Sequence, residues 1–271
     1  MLLEKVIESV KYIKSKTELE PQIGIILGTG LGELVDKIKN QTIIPYDEIP
    51  NFPISTAPGH KGRLVIGECM GKTVFCMQGR FHYYEGYSMK EVTYPIRVMQ
   101  KLGIGKIILT NSAGGLNPDF EPGDLMVIDN HINFMGNNPL IGKNHEEFGP
   151  RFVDMSKPYD PELIKLAHKA AKKTDISLRQ GVYVGYSGPS FETAAEIKLF
   201  YSFGGSAVGM STVPEVIAAN HGGMKVLAIS CITNLGTGIL DQPLSVEEVI
   251  ETASKAGAKF RSLLENILDI M

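Results

Sequence analysis

The sequence predicts an α/β fold in which a twisted, mixed but largely parallel β-sheet is surrounded by α-helices. Short apolar segments typical of buried strands recur along the chain, and helical patterns separate several of them, as expected where helices cover both faces of a sheet. The turn sequence Met-Gly-Lys-Thr at 70–73 predicts at least one antiparallel hairpin. The predicted strands cover residues 23–27, 64–66, 74–76, 106–109, 125–129, 182–184, 207–208 and 226–229.

The composition is that of an ordinary soluble enzyme. Of the 271 residues, 43% are apolar and 21% are charged, and a chain of this length can bury one large core, so residues 1–271 are predicted to form a single domain. The formal net charge is −3 and no Lys/Arg tract stands out, which argues against a nucleic-acid partner. No apolar run reaches the roughly 20 residues of a membrane span, and charges occupy the amino terminus where a signal peptide is apolar.

The cysteines and histidines predict neither a disulfide framework nor a metal site. Cys69, Cys76 and Cys231 are few and widely spaced, and no Cys-x-x-Cys pair occurs. His145 and Glu146 lack the second histidine of a zinc-protease helix. We therefore expect a protein of the reducing cytoplasm that holds no metal.

Capping sequences mark several helix starts and give their polar residues a structural role. A hydroxyl residue is followed three positions later by glutamate at 88–91, 193–196, 212–215 and 245–248. In this pattern both side chains satisfy free backbone N–H groups, and Asp160 before Pro161 marks a further start. The pattern assigns Thr212 and Glu215 to a cap and leaves their neighbours as candidates for chemistry.

Two segments of small residues follow predicted strands and could cradle an anion. Gly-Thr-Gly-Leu-Gly occupies 28–32 and Thr-Asn-Ser-Ala-Gly-Gly occupies 110–115, and backbone N–H groups in such turns can approach an anion closely. Glu33 stands where a dinucleotide-binding loop needs glycine, and no Gly-Lys-Ser/Thr of a P-loop follows. Ser112 lacks the Gly-x-Ser-x-Gly context of a hydrolase nucleophile. Ordinary tight turns remain the alternative.

The segment 78–87 concentrates aromatic and basic residues between glycines. It reads Gln-Gly-Arg-Phe-His-Tyr-Tyr-Glu-Gly-Tyr, so an extended backbone would place Arg80, His82 and Tyr84 on one side. Arginine is a planar, bidentate donor suited to phosphate. The alternative is an exposed loop with a salt-bridged arginine, but so many rings are costly to leave in water. We favour a binding site.

Three further positions could recognise polar parts of a ligand. Glu192 precedes a capped helix, where it could interact with the helix dipole or, beside Phe191, hydrogen-bond a heterocycle stacked on that ring. Ser211 keeps a free hydroxyl at a helix N-terminus if Thr212 is the cap, which is a natural anion site. Asn234 offers both a donor and an acceptor, although asparagine is also common in turns.

Taken together, these segments resemble the trimeric purine nucleoside phosphorylase family over nearly the whole chain. The most specific matches are Gly-Arg-Phe-His-Tyr-Tyr-Glu-Gly at 79–86, Gly-Pro-Ser-Phe-Glu-Thr at 188–193 and Gly-Met-Ser-Thr-Val-Pro-Glu at 209–215. The resemblance implies a homotrimer that cleaves 6-oxopurine nucleosides, such as inosine and guanosine and their deoxy forms. It also implies inorganic phosphate as a co-substrate, with neither a cofactor nor a metal.

The same resemblance assigns roles to individual residues. Its phosphate contacts fall on Thr29, Arg80, His82, the backbone N–H of Ser112, and Ser211. Its ribose contacts fall on His60, Tyr84, Met210 and, from a neighbouring subunit, Phe148. Its purine contacts fall on Phe191, Glu192, Val208, Gly209 and Asn234, and the expected catalytic groups are Asn234, Glu192 and His82.

The chain departs from the family pattern at three positions. Thr29 replaces a serine but keeps the hydroxyl, and Ser112 replaces an alanine whose contact is through the backbone. Val246 stands where many members have a histidine that hydrogen-bonds the 5′-hydroxyl of the nucleoside. We therefore predict that 5′-deoxy substrates are tolerated, although Val246 could simply pack in the first turn of a helix.

Three other functions are alternatives to this one. A phosphorylase for 5′-methylthioadenosine prefers 6-aminopurines and carries aspartate at the position of Asn234, which argues against it. A NAD-dependent oxidoreductase is weakened by Glu33 in the glycine-rich turn. A non-catalytic nucleoside sensor is distinguished only by an activity assay.

Overall fold

The computed structural model describes residues 2–239 and 244–271 and contains one mixed sheet with helices on both faces. The strands are β1 (Ile23–Leu27), β2 (Lys39–Pro45), β3 (Arg63–Cys69), β4 (Lys72–Gln78), β5 (Lys106–Gly115), β6 (Leu125–Asn133), β7 (Leu178–Gly185), β8 (Ala207–Gly209) and β9 (Lys225–Leu235). The helices are α1 (Leu2–Lys16), α2 (Met89–Val92), α3 (Tyr94–Lys101), α4 (Pro161–Lys173), α5 (Ala194–Ser202), α6 (Val213–His221) and α7 (Val246–Ile270).

The nine strands follow the order β2-β3-β4-β1-β5-β8-β7-β6-β9. Strand β9 also pairs with β5, so the last five strands of that order close into a ring, which the sequence did not predict. Parallel pairings outnumber antiparallel ones, which confirms the mixed, largely parallel sheet. Because all nine strands share one sheet, the described residues form a single-domain α/β fold.

Each predicted strand is present, and the hairpin between β3 and β4 is confirmed. Met70 and Gly71 connect these strands with positive φ angles of 49° and 73°, the conformation of a two-residue hairpin turn. The sequence missed β2, whose residues are mostly exposed. An edge strand that leaves one side in water lacks the apolar run that marks a buried strand.

The core lies on both faces of the sheet. Every residue of β1 is buried, and its side chains alternate between two apolar clusters, as the pleat requires. Ile26 packs in the cluster that contains residues of α1, α3 and α6, whereas Ile25 and Leu27 pack in the cluster that contains residues of α4 and α7. No helix in the described ranges is long and apolar enough to span a membrane.

The predicted caps are present at four helix starts and absent at one. Four side chains accept hydrogen bonds from backbone N–H groups at the starts of α2, α4, α5 and α7, namely those of Ser88, Asp160, Thr193 and Ser245. The prediction for α6 is wrong. Thr212 has a φ of 69° and makes no side-chain cap, and Glu215 is buried and pairs with an arginine instead.

Candidate active site

A pocket opens at the carboxyl ends of several strands. Its walls come from residues after β1 and β4, the ends of β5 and β9, β8 with the residues after it, the segment before α5, and α7. The pocket and its mouth enclose about 670 Å³, which is large enough for a small organic ligand. Ligands of α/β proteins bind at this edge of the sheet.

Most of the residues that the sequence singled out lie in this pocket. They are Thr29, Arg80, His82, Tyr84, Ser112, Phe191, Glu192, Val208, Gly209, Met210, Ser211 and Asn234. His60 stands behind the wall, with its Nε2 3.3 Å from the hydroxyl of Thr29. Phe148 and Val246 do not line the pocket, whereas Asn111, which the sequence did not single out, does.

Arg80 is a buried, ion-paired residue in the wall of the pocket. It is 1% exposed, and its Nε and Nη2 donate to the two carboxylate oxygens of Glu215 at 3.2 and 2.9 Å. Its Nη1 donates to the carbonyl of Thr110 at 2.6 Å and to the hydroxyl of Ser211 at 3.3 Å. Glu215 thus occupies the two-point edge of the guanidinium, which is the side formed by Nε and Nη2 that can donate two parallel hydrogen bonds. The sequence left open whether Arg80 is salt-bridged or lines a binding site. In the structure it forms a salt bridge and also lines the pocket.

The turn before α6 is strained and held by hydrogen bonds. Thr212 is β-branched yet has a φ of 69°, which costs on the order of 1–3 kcal/mol. Its hydroxyl accepts from Nδ2 of Asn111 at 3.0 Å and lies 3.1 Å from the hydroxyl of Ser211. Oδ1 of Asn111 has no partner in the described part of the chain. The turn fixes the hydroxyl of Ser211, which the sequence had suggested to be free.

Two histidines and a tyrosine form a stack beside Arg80. The ring of His82 lies between those of Tyr84, at a centroid distance of 4.6 Å, and His60, at 5.2 Å. Burial lowers the pKa of His82, and burial together with neighbouring His82 lowers the pKa of His60 to about 4. Although burial acts to raise the pKa of Glu85, hydrogen bonds from His82 and Thr56 lower it to about 2. At neutral pH, His82 is therefore a neutral ring whose Nδ1 faces an ionised carboxylate 3.0 Å away.

The other part of the pocket offers one acceptor and one donor. Glu192 is buried, its pKa is raised by burial, and no side chain in the described ranges pairs with its carboxylate. Oδ1 of Asn234 accepts from the hydroxyl of Thr233 at 2.9 Å, and Nδ2 donates to the carbonyl of Leu235 at 3.1 Å. The second Nδ2 proton of Asn234 remains for a ligand. Phe191 is partly exposed and supplies an aromatic face.

Phe148 is buried within its own chain and lies outside the pocket. It is 1% exposed within its own chain, with Lys101 Nζ 4.9 Å and the Arg97 guanidinium 5.4 Å from its ring centre. Arg97 and Lys101 belong to α3, so this helix covers the ring within the same chain. The role of Phe148 as a ribose contact from a neighbouring subunit stays a prediction.

Val246 also lies outside the pocket. It is 46% exposed at the first turn of α7, whereas Val249, one turn further on, lines the pocket. Residues 240–243, just before this helix, lie outside the described residues. The prediction about the 5′ position therefore stays a prediction, and Val249 is the residue of α7 that lines the pocket.

The described residues contain no group of three or more His, Cys, Asp or Glu that could hold a metal ion. The three cysteines are free and buried. The polar side chains that line the pocket carry hydroxyl, amide, carboxylate, imidazole and guanidinium groups.

Comparison with known proteins identifies the class. The family model described as the phosphorylase superfamily matches residues 22–269. Purine nucleoside phosphorylase 1 of Bacillus subtilis (strain 168) is 53% identical over 98% of both chains, and that of Geobacillus stearothermophilus is 55% identical over 96% of this chain and 95% of its own. The crystal structure of Schistosoma mansoni purine nucleoside phosphorylase in complex with inosine is 41% identical, with a TM-score of 0.95 over 99% of this chain and 97% of that chain. The chain belongs to the purine nucleoside phosphorylase family.

Proposed function

We propose that the protein catalyses the reversible phosphorolysis of purine nucleosides to the free base and (deoxy)ribose 1-phosphate. The observation that carries this proposal is the composition of one pocket, which joins Arg80, His82 and Ser211 to Glu192 and Asn234. The first group suits an oxyanion, and the second suits the polar edge of a heterocycle. The names of the relatives support the same reaction.

Phosphate binds, in this proposal, among Thr29, Arg80, His82, Ser112 and Ser211. Because Glu215 takes Nε–H and one Nη2 proton of Arg80, and Nη1 donates to Thr110 and Ser211, phosphate meets the one remaining Nη2 proton and the hydroxyl of Ser211. A neutral His82 that donates Nδ1–H to Glu85 leaves Nε2 as an acceptor for a protonated phosphate oxygen. The two side chains hold the nucleophile in position.

The base is recognised where charge develops in the reaction. Breaking the glycosidic bond makes the sugar positive and the purine negative, and the bound phosphate stabilises and then attacks the sugar carbon. Asn234 donates its remaining Nδ2 proton to N7, and Glu192 accepts from N1–H. Each hydrogen bond that involves a charged group contributes about 1.5–3 kcal/mol. Because phosphate attacks directly, no covalent enzyme intermediate is needed.

The preferred bases are proposed to be 6-oxopurines. The remaining Nδ2 proton of Asn234 can be shared between N7 and a neighbouring 6-oxo group, which are both acceptors, whereas an aspartate would accept from a 6-amino group. The solved structures of Schistosoma mansoni purine nucleoside phosphorylase include complexes with inosine and with adenosine. Binding of both nucleosides by a relative makes relative turnover, rather than binding, the quantity that decides the preference.

The protein is further proposed to act in the cytoplasm, in purine salvage, as a homotrimer with no cofactor. Free, buried cysteines fit a reducing compartment. Two large apolar side chains close in sequence, Ile141 at 63% and Phe152 at 87% exposure, suggest an interface. Light scattering coupled to an assay tests the trimer, and a fully active monomer would refute it.

Phosphate dependence tests the proposed reaction. Inosine should be converted to hypoxanthine only when inorganic phosphate is present, and a metal chelator should not change the rate. Arg80→Met should raise KM for phosphate far more than it weakens binding of hypoxanthine. Equal cleavage in phosphate-free buffer, with free ribose as the product, would refute phosphorolysis.

A further inference from the structure

A second cleft lies away from the active site, between α3, the carboxyl end of α6 and the loop before Phe148. Arg97 and His221 form its floor, and Lys90 and Lys143 stand at its rim. The cleft and its mouth enclose about 440 Å³. None of its lining residues lines the active-site pocket.

Arg97 is a buried cation with no carboxylate. It is 7% exposed, and its Nη1 donates to the carbonyl of Ala218 at 3.3 Å and to Nδ1 of His221 at 2.9 Å. Within residues 2–239 and 244–271, its Nε and Nη2 have no hydrogen-bond partner, and no acidic side chain lies within ion-pair distance. Burial lowers the pKa of Arg97 only to about 10, so the guanidinium keeps its charge at neutral pH.

His221 does not neutralise this charge. Arginine only donates, so Nδ1 of His221 must accept the bond and carry no proton. Burial and, to a smaller extent, the charge of Arg97 lower the pKa of His221, which keeps the ring neutral. A buried charge without a carboxylate partner is strongly unfavourable. Arg80, which is even more deeply buried, has such a partner because Glu215 accepts two hydrogen bonds from it.

The rim adds positive charge and no negative charge. Lys90 and Lys143 are both exposed, and no Asp or Glu among the described residues lines the cleft. His145, on the same loop, pairs with Glu147 at 3.4 Å, and Glu147 is not part of the lining. The cleft therefore attracts anions, and the unused Nε and Nη2 edge of Arg97 has the fork geometry that binds two oxygens of one group.

We propose that this cleft binds a tetrahedral oxyanion, either free phosphate or the phosphate group of a small monoester. The oxyanion accepts hydrogen bonds from Nε and Nη2 of Arg97 at the floor, and the positive charges of Lys90 and Lys143 at the rim attract it. This is a second anion site per chain, separate from the phosphate site of the proposed reaction.

Equilibrium dialysis with radiolabelled inorganic phosphate tests the proposal. Wild type should bind about two phosphates per chain, Arg97→Met about one, and Arg80→Met about one, which then belongs to the cleft. Because Arg80→Met reports the cleft alone, the count does not depend on whether the chain cleaves nucleosides. Lys101→Met is the matched control: Lys101 also contacts Phe148 but does not line the cleft, so it should keep two.

A second variant covers the case in which Arg97→Met fails to fold. Lys143 is exposed, and Lys143→Met should weaken the cleft site at least threefold while leaving inosine cleavage unchanged. Displacement of the label from Arg80→Met by glycerol 1-phosphate would assign the cleft to monoesters, and displacement by inorganic phosphate alone would assign it to free phosphate. Zero sites in Arg80→Met, or in Arg80→Met/Glu215→Met if the single variant does not fold by circular dichroism, would overturn the proposal. So would one site in wild type with loss of assembly in Arg97→Met, which would place a carboxylate of another copy on Arg97.

Discussion

Arg80 and Glu215, which are 135 positions apart in the chain, form a two-point ion pair with bonds of 3.2 and 2.9 Å in the wall of the active-site pocket. The pair joins the loop after β4 to helix α6. It orients the guanidinium and offsets its charge, so phosphate binding depends on how the arginine is held as well as on its presence.

Breaking this pair should cost both stability and phosphate binding. Glu215→Gln leaves a buried, uncompensated guanidinium, which should lower the free energy of unfolding by about 3–5 kcal/mol. It should also raise KM for phosphate more than KM for inosine. The double variant Arg80→Met/Glu215→Met should lose less stability than the two single variants added together. Glu247→Gln, on an exposed surface, is the control, and strict additivity in the cycle would contradict the pairing.

Relieving the strained turn should separate stability from function. Thr212→Gly suits the positive φ but removes the hydroxyl that bonds Asn111. These effects oppose each other, so the free energy of unfolding should change by less than about 1.5 kcal/mol. KM for phosphate should rise because Ser211 loses its fixed neighbour. An unchanged KM for phosphate would show that the turn does not position Ser211.

Glu192 should give activity an acid limb at higher pH than an ordinary glutamate would. Burial raises its pKa above 4.5, and base recognition requires the ionised form, so kcat/KM for inosine should fall as pH drops through that raised value. Because the folded state binds the proton more tightly than the unfolded state, the group's contribution to stability decreases as pH rises through the same window. Glu192→Gln should remove this limb and raise stability at neutral pH but not at low pH. A limb that persists in the variant would belong to another group.

The amide of Asn234 should set the choice of base. Wild type should cleave inosine and guanosine well and adenosine poorly. Asn234→Asp keeps an oxygen for the hydroxyl of Thr233 but replaces the donor with an acceptor, which should shift kcat/KM toward adenosine. Equal turnover of adenosine and inosine by wild type would remove Asn234 from this role.

The 5′ end of the substrate should be recognised weakly. With Val249 in the wall and Val246 at the start of α7, a free 5′-hydroxyl gains no bond from these residues, and such a bond contributes about 0.5–1.5 kcal/mol. Wild type should therefore cleave the 5′-deoxy analogue of inosine with nearly the same catalytic efficiency as inosine itself, and Val246→His should increase the preference for inosine. A wild-type penalty near 100-fold, about 2.7 kcal/mol, would mean that another residue binds this hydroxyl.

The sequence predicted the individual strands of the fold better than it predicted how the sheet closes into a ring. Buried strands such as β1 carry continuous apolar residues and were recognised, whereas β2, an exposed edge, was not. The ring formed through the pairing of β9 with β5 depends on contacts between distant segments, which local patterns do not encode.

At the site, the sequence identified most residues that line the pocket but not the buried contacts that hold them in place. The Thr-Val-Pro-Glu segment fits a capping box. In the structure, however, Thr212 has a positive φ and its hydroxyl bonds Asn111, while Glu215 pairs with the distant Arg80. A glutamate in the apolar stretch Val-Pro-Glu-Val-Ile-Ala-Ala was the available signal, because a buried carboxylate requires a partner. The packing of α3 on Phe148 was likewise not predicted, because it joins distant parts of the chain.

Phosphorolysis is tested most directly by following inosine and inorganic phosphate with the protein by ³¹P NMR. The phosphate signal should be replaced by that of ribose 1-phosphate, in step with the release of hypoxanthine. Adding hypoxanthine to ribose 1-phosphate should regenerate inosine and free phosphate. Release of hypoxanthine while the phosphate signal stays constant would contradict phosphorolysis.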